Sequence, residues 1–216
     1  MVSGRGIKFD FNLLEEDRVV FARIKKAMAQ EFNKRIQRNI TKIEDDIKKV
    51  VKELISNCAE IKSIQGGSLR ADFGIPADQN PAHNIVSAIV NSVEVEHEMI
   101  VPKSSGKKFT GGLTVNIQPK DVANLLAISG VTVTTAKGTN LPWLEWLLTL
   151  GDKIIITDYH VDYKSGTGRS GRGTMVDGDA FRVNPSFSGT TDNNFITRAL
   201  RGSENRIKNI LKRHIG

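Results

Sequence analysis

The sequence predicts an α+β fold in which a long N-terminal amphipathic helical arm precedes a compact domain with a small, mostly antiparallel sheet flanked by helices. In the arm, apolar residues recur about every 3.7 positions with no proline or glycine between them, close to the α-helical period. Beyond Gly66 and Gly67 the pattern changes to short alternating stretches separated by turn residues, as expected of strands. Composition agrees: 39% hydrophobic and 25% charged residues are near globular values and argue against a disordered chain. A chain of 216 residues can bury one core and carry an appendage, so the expected division is 1–65 for the arm and 66–216 for the domain, within one structural unit.

Ile7, Phe9 and Phe11 alternate like a short strand, and Asn12, with Glu15 three residues on, is placed to cap a helix starting near Leu13. The apolar stripe then runs through Val20, Ile24, Met28, Phe32, Ile36, Ile40, Ile43 and Ile47, and on through Val50, Leu54, Cys58 and Ile61. An unbroken helix over 13–64 would be roughly 75 Å long, more than a domain of this size covers. It must bend back or pack on a partner. The positions from Val20 to Ile47 named above are therefore the expected oligomer interface, with another copy of the chain as partner. The polar face mixes Lys34, Arg38, Lys42 and Lys49 with Glu31, Glu44 and Asp46, which is ordinary chemistry for a solvated helix face.

Gly66 and Gly67 end the arm, and the stretch through Phe73, Gly74, Pro76 and Pro81 reads as a boundary loop. A helix is expected over 83–90. Val93, Val95, His97 and Met99 then alternate with Glu94, Glu96 and Glu98, placing the three carboxylates on one strand face that is either solvated or in contact with a basic neighbour. Leu113, Val115 and Ile117 form a second strand, Pro119 opens a short helix, and Val131 and Val133 form a third strand. Pro142 suits the first turn of a helix over 143–150 that Gly151 closes. Strands follow over 153–163, 174–176 and 181–183, with a Gly/Ser/Arg-rich loop over 164–173. Thr191 is the expected cap of a helix through Leu200, and a basic helix over 203–213 ends the sequence.

The chemistry-bearing motifs are weak. Gly166, Gly168 and Gly171 satisfy the spacing of a dinucleotide-binding turn, but that turn must open a helix to hold the pyrophosphate, and here a strand follows. Gly106-Lys107-Lys108 lacks both the hydroxyl residue and the upstream glycine of a phosphate loop, since Val101 stands in that glycine's place. His83, His97, His160 and His214 have no metal-ligand spacing, and Cys58 is the sole cysteine, so neither a metal nor a disulfide is expected. No nucleophile, base and orienting group are announced by a strained turn. The expectation is a non-enzymatic chain without cofactor. No leader-like stretch and no apolar run of spanning length occurs, so a soluble chain with no membrane partner is expected.

The net charge of +7 and a pI near 9.5 favour polyanionic neighbours. Lys103, Lys107, Lys108, Arg169 and Arg172 are the candidate phosphate contacts, with further cations near the C-terminus. Two Tyr and two Trp leave little material for stacking bases, so contact with nucleic acid would be indifferent to its sequence.

The stretch Leu141-Pro142-Trp143-Leu144-Glu145-Trp146-Leu147-Leu148, the strand over 153–163, the loop 168–173, Phe181-Arg182-Val183 and Phe195-Ile196-Thr197-Arg198-Ala199-Leu200 together resemble virion proteins of tailed bacteriophages. The group is that of head-tail joining, neck and tail-completion proteins, including tail terminators. Pro185 and Phe187 before the late Ala199-Leu200 helix fit the order of that group, and the resemblance spans roughly 111–200. It implies a homo-oligomeric ring in the neck or tail of the virion, assembled in the host cytoplasm, contacting portal or tail proteins and surrounding the channel through which DNA passes. The competing expectation is a cytoplasmic, sequence-nonspecific nucleic-acid-binding protein.

Overall fold

The computed structural model describes residues 16–103, 108–117, 122–134, 138–164 and 168–216. The expected strand around Ile7, Phe9 and Phe11 and the expected helix start at Asn12 and Leu13 lie outside the described residues.

Helix α1 spans Asp17–Asn57, 41 residues and about 60 Å of axis at 1.5 Å per residue. Its core-facing side is Ala29, Asn33, Ile36, Ile43, Ile47, Val51 and Ile55. The helix does not run on to Ile64 as expected. Cys58 adopts an extended conformation (φ −66°, ψ 154°), and a separate helix α2, Ala59–Gly66, begins beyond it. The break lets Ile55, Ile61 and Ile64 all be fully buried in one core. Burial also raises the Cys58 thiol to about 11, so it is protonated and inert near neutrality. At Gly67 a Cβ would fall 2.7 Å from the Ser63 hydroxyl and 2.8 Å from the Ser63 backbone, so only glycine permits this close turn.

Part of the expected boundary loop is helical. Helix α3, Ser68–Asp72, is followed by α4, Pro81–Asn91, with proline in its first turn. Arg70 holds the turn between them: its buried guanidinium donates to the carbonyls of Ile64, Gln65, Pro76 and Gln79. Strands β1, Glu94–Pro102, and β2, Phe109–Asn116, form an antiparallel hairpin whose register shifts between Glu98 and Val101. Short helix α5, Val122–Leu126, leads to the minimal pair β3, Val133–Thr134, and β4, Asn140–Leu141.

Helix α6, Trp143–Glu145, continues as a π-helical turn, Trp146–Leu150, which ends at Gly151. Trp143 is fully buried, stacks on Phe73 with centroids 5.2 Å apart, and donates its indole N–H to the Gly130 carbonyl at 3.1 Å. The last hairpin pairs β5, Ile154–Asp162, with β6, Thr174–Arg182. The two short strands expected over 174–176 and 181–183 are thus one strand. The Asp177-Gly178 turn signal is absorbed by an irregularity in it, where Gly178 and Asp179 take positive φ of 115° and 58°. The expected α+β class, a long helix before a compact domain with antiparallel pairing, is what the structure has; among the described residues that pairing is divided into three two-stranded antiparallel sheets.

Asn194, not Thr191, caps helix α7, Phe195–Leu200. Its side chain accepts from the amides of Ile196 and Thr197, while the Thr197 hydroxyl accepts from the Asn194 amide. Helix α8 spans Glu204–Ile215. One apolar cluster runs from Ile43 in α1 to Ile210 in α8, so the inner half of the arm belongs to the same core as residues 66–216.

Candidate functional site

Two faces of α1 carry different loads. The first, built on Ile36, Ile43 and Ile47, packs into the chain's own core. The second passes through positions 28, 32, 35, 39, 46 and 53, whose spacings of three, four and seven place them on one line along the helix. Helix α8 lies on this line and runs antiparallel to α1. Arg206 pairs with Glu53 at 2.7 Å, and Arg213 and His214 pair with Asp46 at 2.7 and 3.0 Å. Asn39 donates to the His214 carbonyl at 3.0 Å, and Arg35 donates to the carbonyls of Ile215 and Gly216 at 3.3 and 3.0 Å, satisfying the end of α8. The His214 hydrogen bond, reinforced by Lys49 and Arg213, holds the Asp46 carboxyl down at about 2.

Beyond Gly216 the same line on α1 has no packed element among the described residues. Phe21, Ile24 and Met28 are 60%, 48% and 44% exposed. Where α8 stops, Ala27, Met28, Phe32, Ile215 and Gly216 line an apolar groove of about 540 Å³ with Glu31 and Arg35 at its rim. These large apolar side chains form an aligned row on a two-turn stretch of exposed helix rather than scattered surface hydrophobicity, which makes the row the candidate interaction surface.

The expected interface therefore divides. Ile24 and Met28 are exposed, Val20, Phe32 and Ile40 are half-buried, and Ile36, Ile43 and Ile47 are buried within the chain itself. The last three are corrected from subunit contact to core. Sequence periodicity merged them with the outer stripe because a spacing near the helical period cannot separate two faces about a quarter-turn apart. It also missed Asn33, a buried polar residue on the core-facing side. Its side chain donates to the Ile100 carbonyl at 2.9 Å and accepts from the Ile100 amide at 2.8 Å, with His97 Nε2 at 3.0 Å. The shift in β-register leaves Ile100 out of the strand ladder, and Asn33 satisfies both its backbone groups.

The candidate phosphate contacts are not brought together. Lys103 and Lys108 are exposed at the loop end of the β1–β2 hairpin, where the Lys103 amide donates to the Lys108 carbonyl at 3.0 Å; Lys107 lies outside the described residues. Arg169 donates to the Thr134 carbonyl at 2.8 Å and lies over Gly74, and Arg172 lies over Gly66. Arg169 thus ties the β5–β6 loop to β3 beside the turn after α3, and Arg172 lies against the end of α2. The hairpin end sits beyond Ile100, opposite Asn33, which is ~36 Å of helix axis from the far end of α1. Near the C-terminus, Arg198 pairs with Glu60 at 2.7 Å, so three cations there are engaged by carboxylates of α1 and α2.

The β5–β6 hairpin also meets α3 through the Tyr163 hydroxyl, which donates to the buried Asp72 carboxylate. Burial raises Asp72 to about 6, and the Tyr163 hydrogen bond offsets only part of that rise. The folded state thus holds this proton more tightly than the unfolded chain. Stability from this group is complete below about pH 4 and falls as pH rises toward 6. Asp72→Asn should remove that falling limb and raise stability at pH 7 by up to ~3 kcal/mol, read from urea midpoints at pH 4 and pH 7.

Among the described residues no group of His, Cys, Asp and Glu could hold a metal ion, and no helix is long and apolar enough to cross a membrane. No protein-family model, curated protein or solved structure matches this chain.

Proposed function

We propose that the chain is a structural subunit of a homo-oligomeric ring in which the outer half of α1 docks on a neighbouring copy. The carrying observation is the row Phe21, Ile24 and Met28, exposed on a helix whose other half is locked into the core. A rigid, continuous arm with an apolar face suits assembly, because it presents that face without ordering a loop on binding. The resemblance over 111–200 to the neck, head-tail joining and tail-completion proteins of tailed phages supplies the setting: a ring between head and tail, around the DNA channel, touching portal or tail neighbours. Exposed Lys103 and Lys108 would give such a channel a weakly positive, sequence-indifferent lining.

The reading as a free nucleic-acid-binding protein is less well supported, since Arg198, Arg206 and Arg213 are paired with Glu60, Glu53 and Asp46. Light scattering across a wide concentration range tests the proposal. Species at multiples of the 23.8 kDa chain, growing with concentration and ring-shaped in electron micrographs, are expected. A monomer at every concentration would overturn it, and tight duplex binding with a steep salt dependence would favour the other reading.

A further inference from the structure

At the end of α1 opposite the exposed apolar row, a half-enclosed cavity of about 350 Å³ opens between α1, α4 and the end of α2. Helix α4 supplies one wall as two neighbouring rows at i, i+4 spacing. Ala82, Val86 and Val90 make an apolar row, buried or half-buried; His83, Ser87 and Asn91 make a polar and more open one. Lys52 and Ser56, one turn apart on α1, line the same cavity, as do Gln65 and Asn80. We propose that this cavity binds a small molecule bearing a phosphate group.

Its polar side chains have no hydrogen-bond or ion-pair partner among the described residues, although this fold gives such partners to the same residue types elsewhere. Ser92 and Thr149 donate to the carbonyls of Ile89 and Glu145, three and four residues back, but the hydroxyls of Ser56 and Ser87 do not bond back in this way. Asn194 caps α7 with its side chain, whereas Asn80 stands at the N-cap of α4 without capping it. Lys48 and Lys49 pair with Glu44 and Asp46, while Lys52 has Lys48 and Ser56 at its own i±4 positions and no carboxylate.

Charge and geometry select the ligand. No Asp or Glu lines the cavity, and α4 contains no Asp, Glu, Lys or Arg, so the fixed charge at the site is the Lys52 ammonium. An entering anion is attracted without a competing carboxylate. The remaining donors are two hydroxyls, an imidazole and three side-chain amides, spread around the lining. A tetrahedral phosphate accepts from such scattered donors, whereas a planar carboxylate is matched best by the fork of an arginine, and no arginine lines the cavity. The apolar row of α4 suits the body of a small ester, and the volume is at the low end for small-molecule sites.

Calorimetric titration and thermal unfolding of the full chain at fixed ionic strength test this, with inorganic phosphate, phenyl phosphate and benzoate as probes. Both phosphates should bind saturably and raise the melting temperature, phenyl phosphate more tightly because its ring covers Val86 and Val90; benzoate should do neither. Lys52→Met should weaken phosphate binding roughly tenfold or more, and Ser87→Ala by less. Lys49→Met, which removes a cation already engaged by Asp46, should leave binding unchanged. Lys49 and Lys52 are both exposed, so both variants should fold as the parent does. No saturable binding of either phosphate, benzoate binding as tightly as phenyl phosphate, or equal losses in the Lys49 and Lys52 variants would overturn the proposal. Equal affinity for the two phosphates would overturn the part assigned to the apolar row. None of these outcomes bears on the assembly reading, which rests on the other end of α1.

Discussion

Replacing Ile47 by alanine should cost ~2–5 kcal/mol, the range for truncating a large aliphatic side chain in a packed core. The corresponding fall in melting temperature is roughly 5–15 °C for a chain of this length. Ile47 is fully buried in the apolar cluster that joins α1 to the rest of the chain, so the removed methylenes leave a cavity that the surrounding side chains fill only in part. Phe21→Ala, on the same helix, should change stability by less than ~0.5 kcal/mol, as for an exposed position without special contacts. Thermal unfolding of the two variants, followed by circular dichroism at a concentration where the parent is dissociated, gives the comparison. Equal effects at both positions would contradict the division of α1 into a core half and an exposed half.

The second large effect is expected at Glu60. Its carboxylate is almost wholly buried and accepts from Arg198 at 2.7 Å, while the same guanidinium donates to the carbonyls of Phe187, Ser188 and Asn193. Glu60→Ala leaves the arginine without its counter-charge and should cost ~2–4 kcal/mol, since breaking a buried pair exposes the desolvation cost of the group left behind. Arg198 still has its three carbonyls, which places the figure below that of a fully stranded charge. Glu60→Met with Arg198→Met should be less destabilising than Glu60→Ala alone, because an apolar pair of similar volume leaves no charge unmet. Urea unfolding of both variants measures the difference; a double variant worse than the single would show that the carbonyl contacts of Arg198 dominate.

Local signals carried much of this architecture. The long helix, the β1 and β2 alternation and the start of α6 at Pro142 follow from period and turn chemistry, which depend on neighbours in sequence. Features set by distant contacts did not. Cys58 and its neighbours contain no glycine or proline to announce a break; α1 ends there because the core needs Ile61 and Ile64 turned inward. Asp177-Gly178 has the composition of a hairpin turn, yet β6 runs through it because β5 supplies a partner on both sides. Thr191 and Asn194 are both capping residues by type, and only packing of Phe195 and Ile196 in the core selects Asn194. At the candidate site the exposed apolar residues were legible as a stripe, while their separation from Ile36, Ile43 and Ile47 was not, because both sets share one period. Asn33 gave no signal, since a polar residue in a helix ordinarily faces water.

Asn33 has a mechanical role beyond satisfying Ile100. By gripping both backbone groups of one strand residue, it fixes where the β1 hairpin stands along α1 and ties the two into one rigid body. The register shift in β1 is therefore not a loose point in the strand: the helix closes at Ile100 the hydrogen bonds that β2 leaves open there.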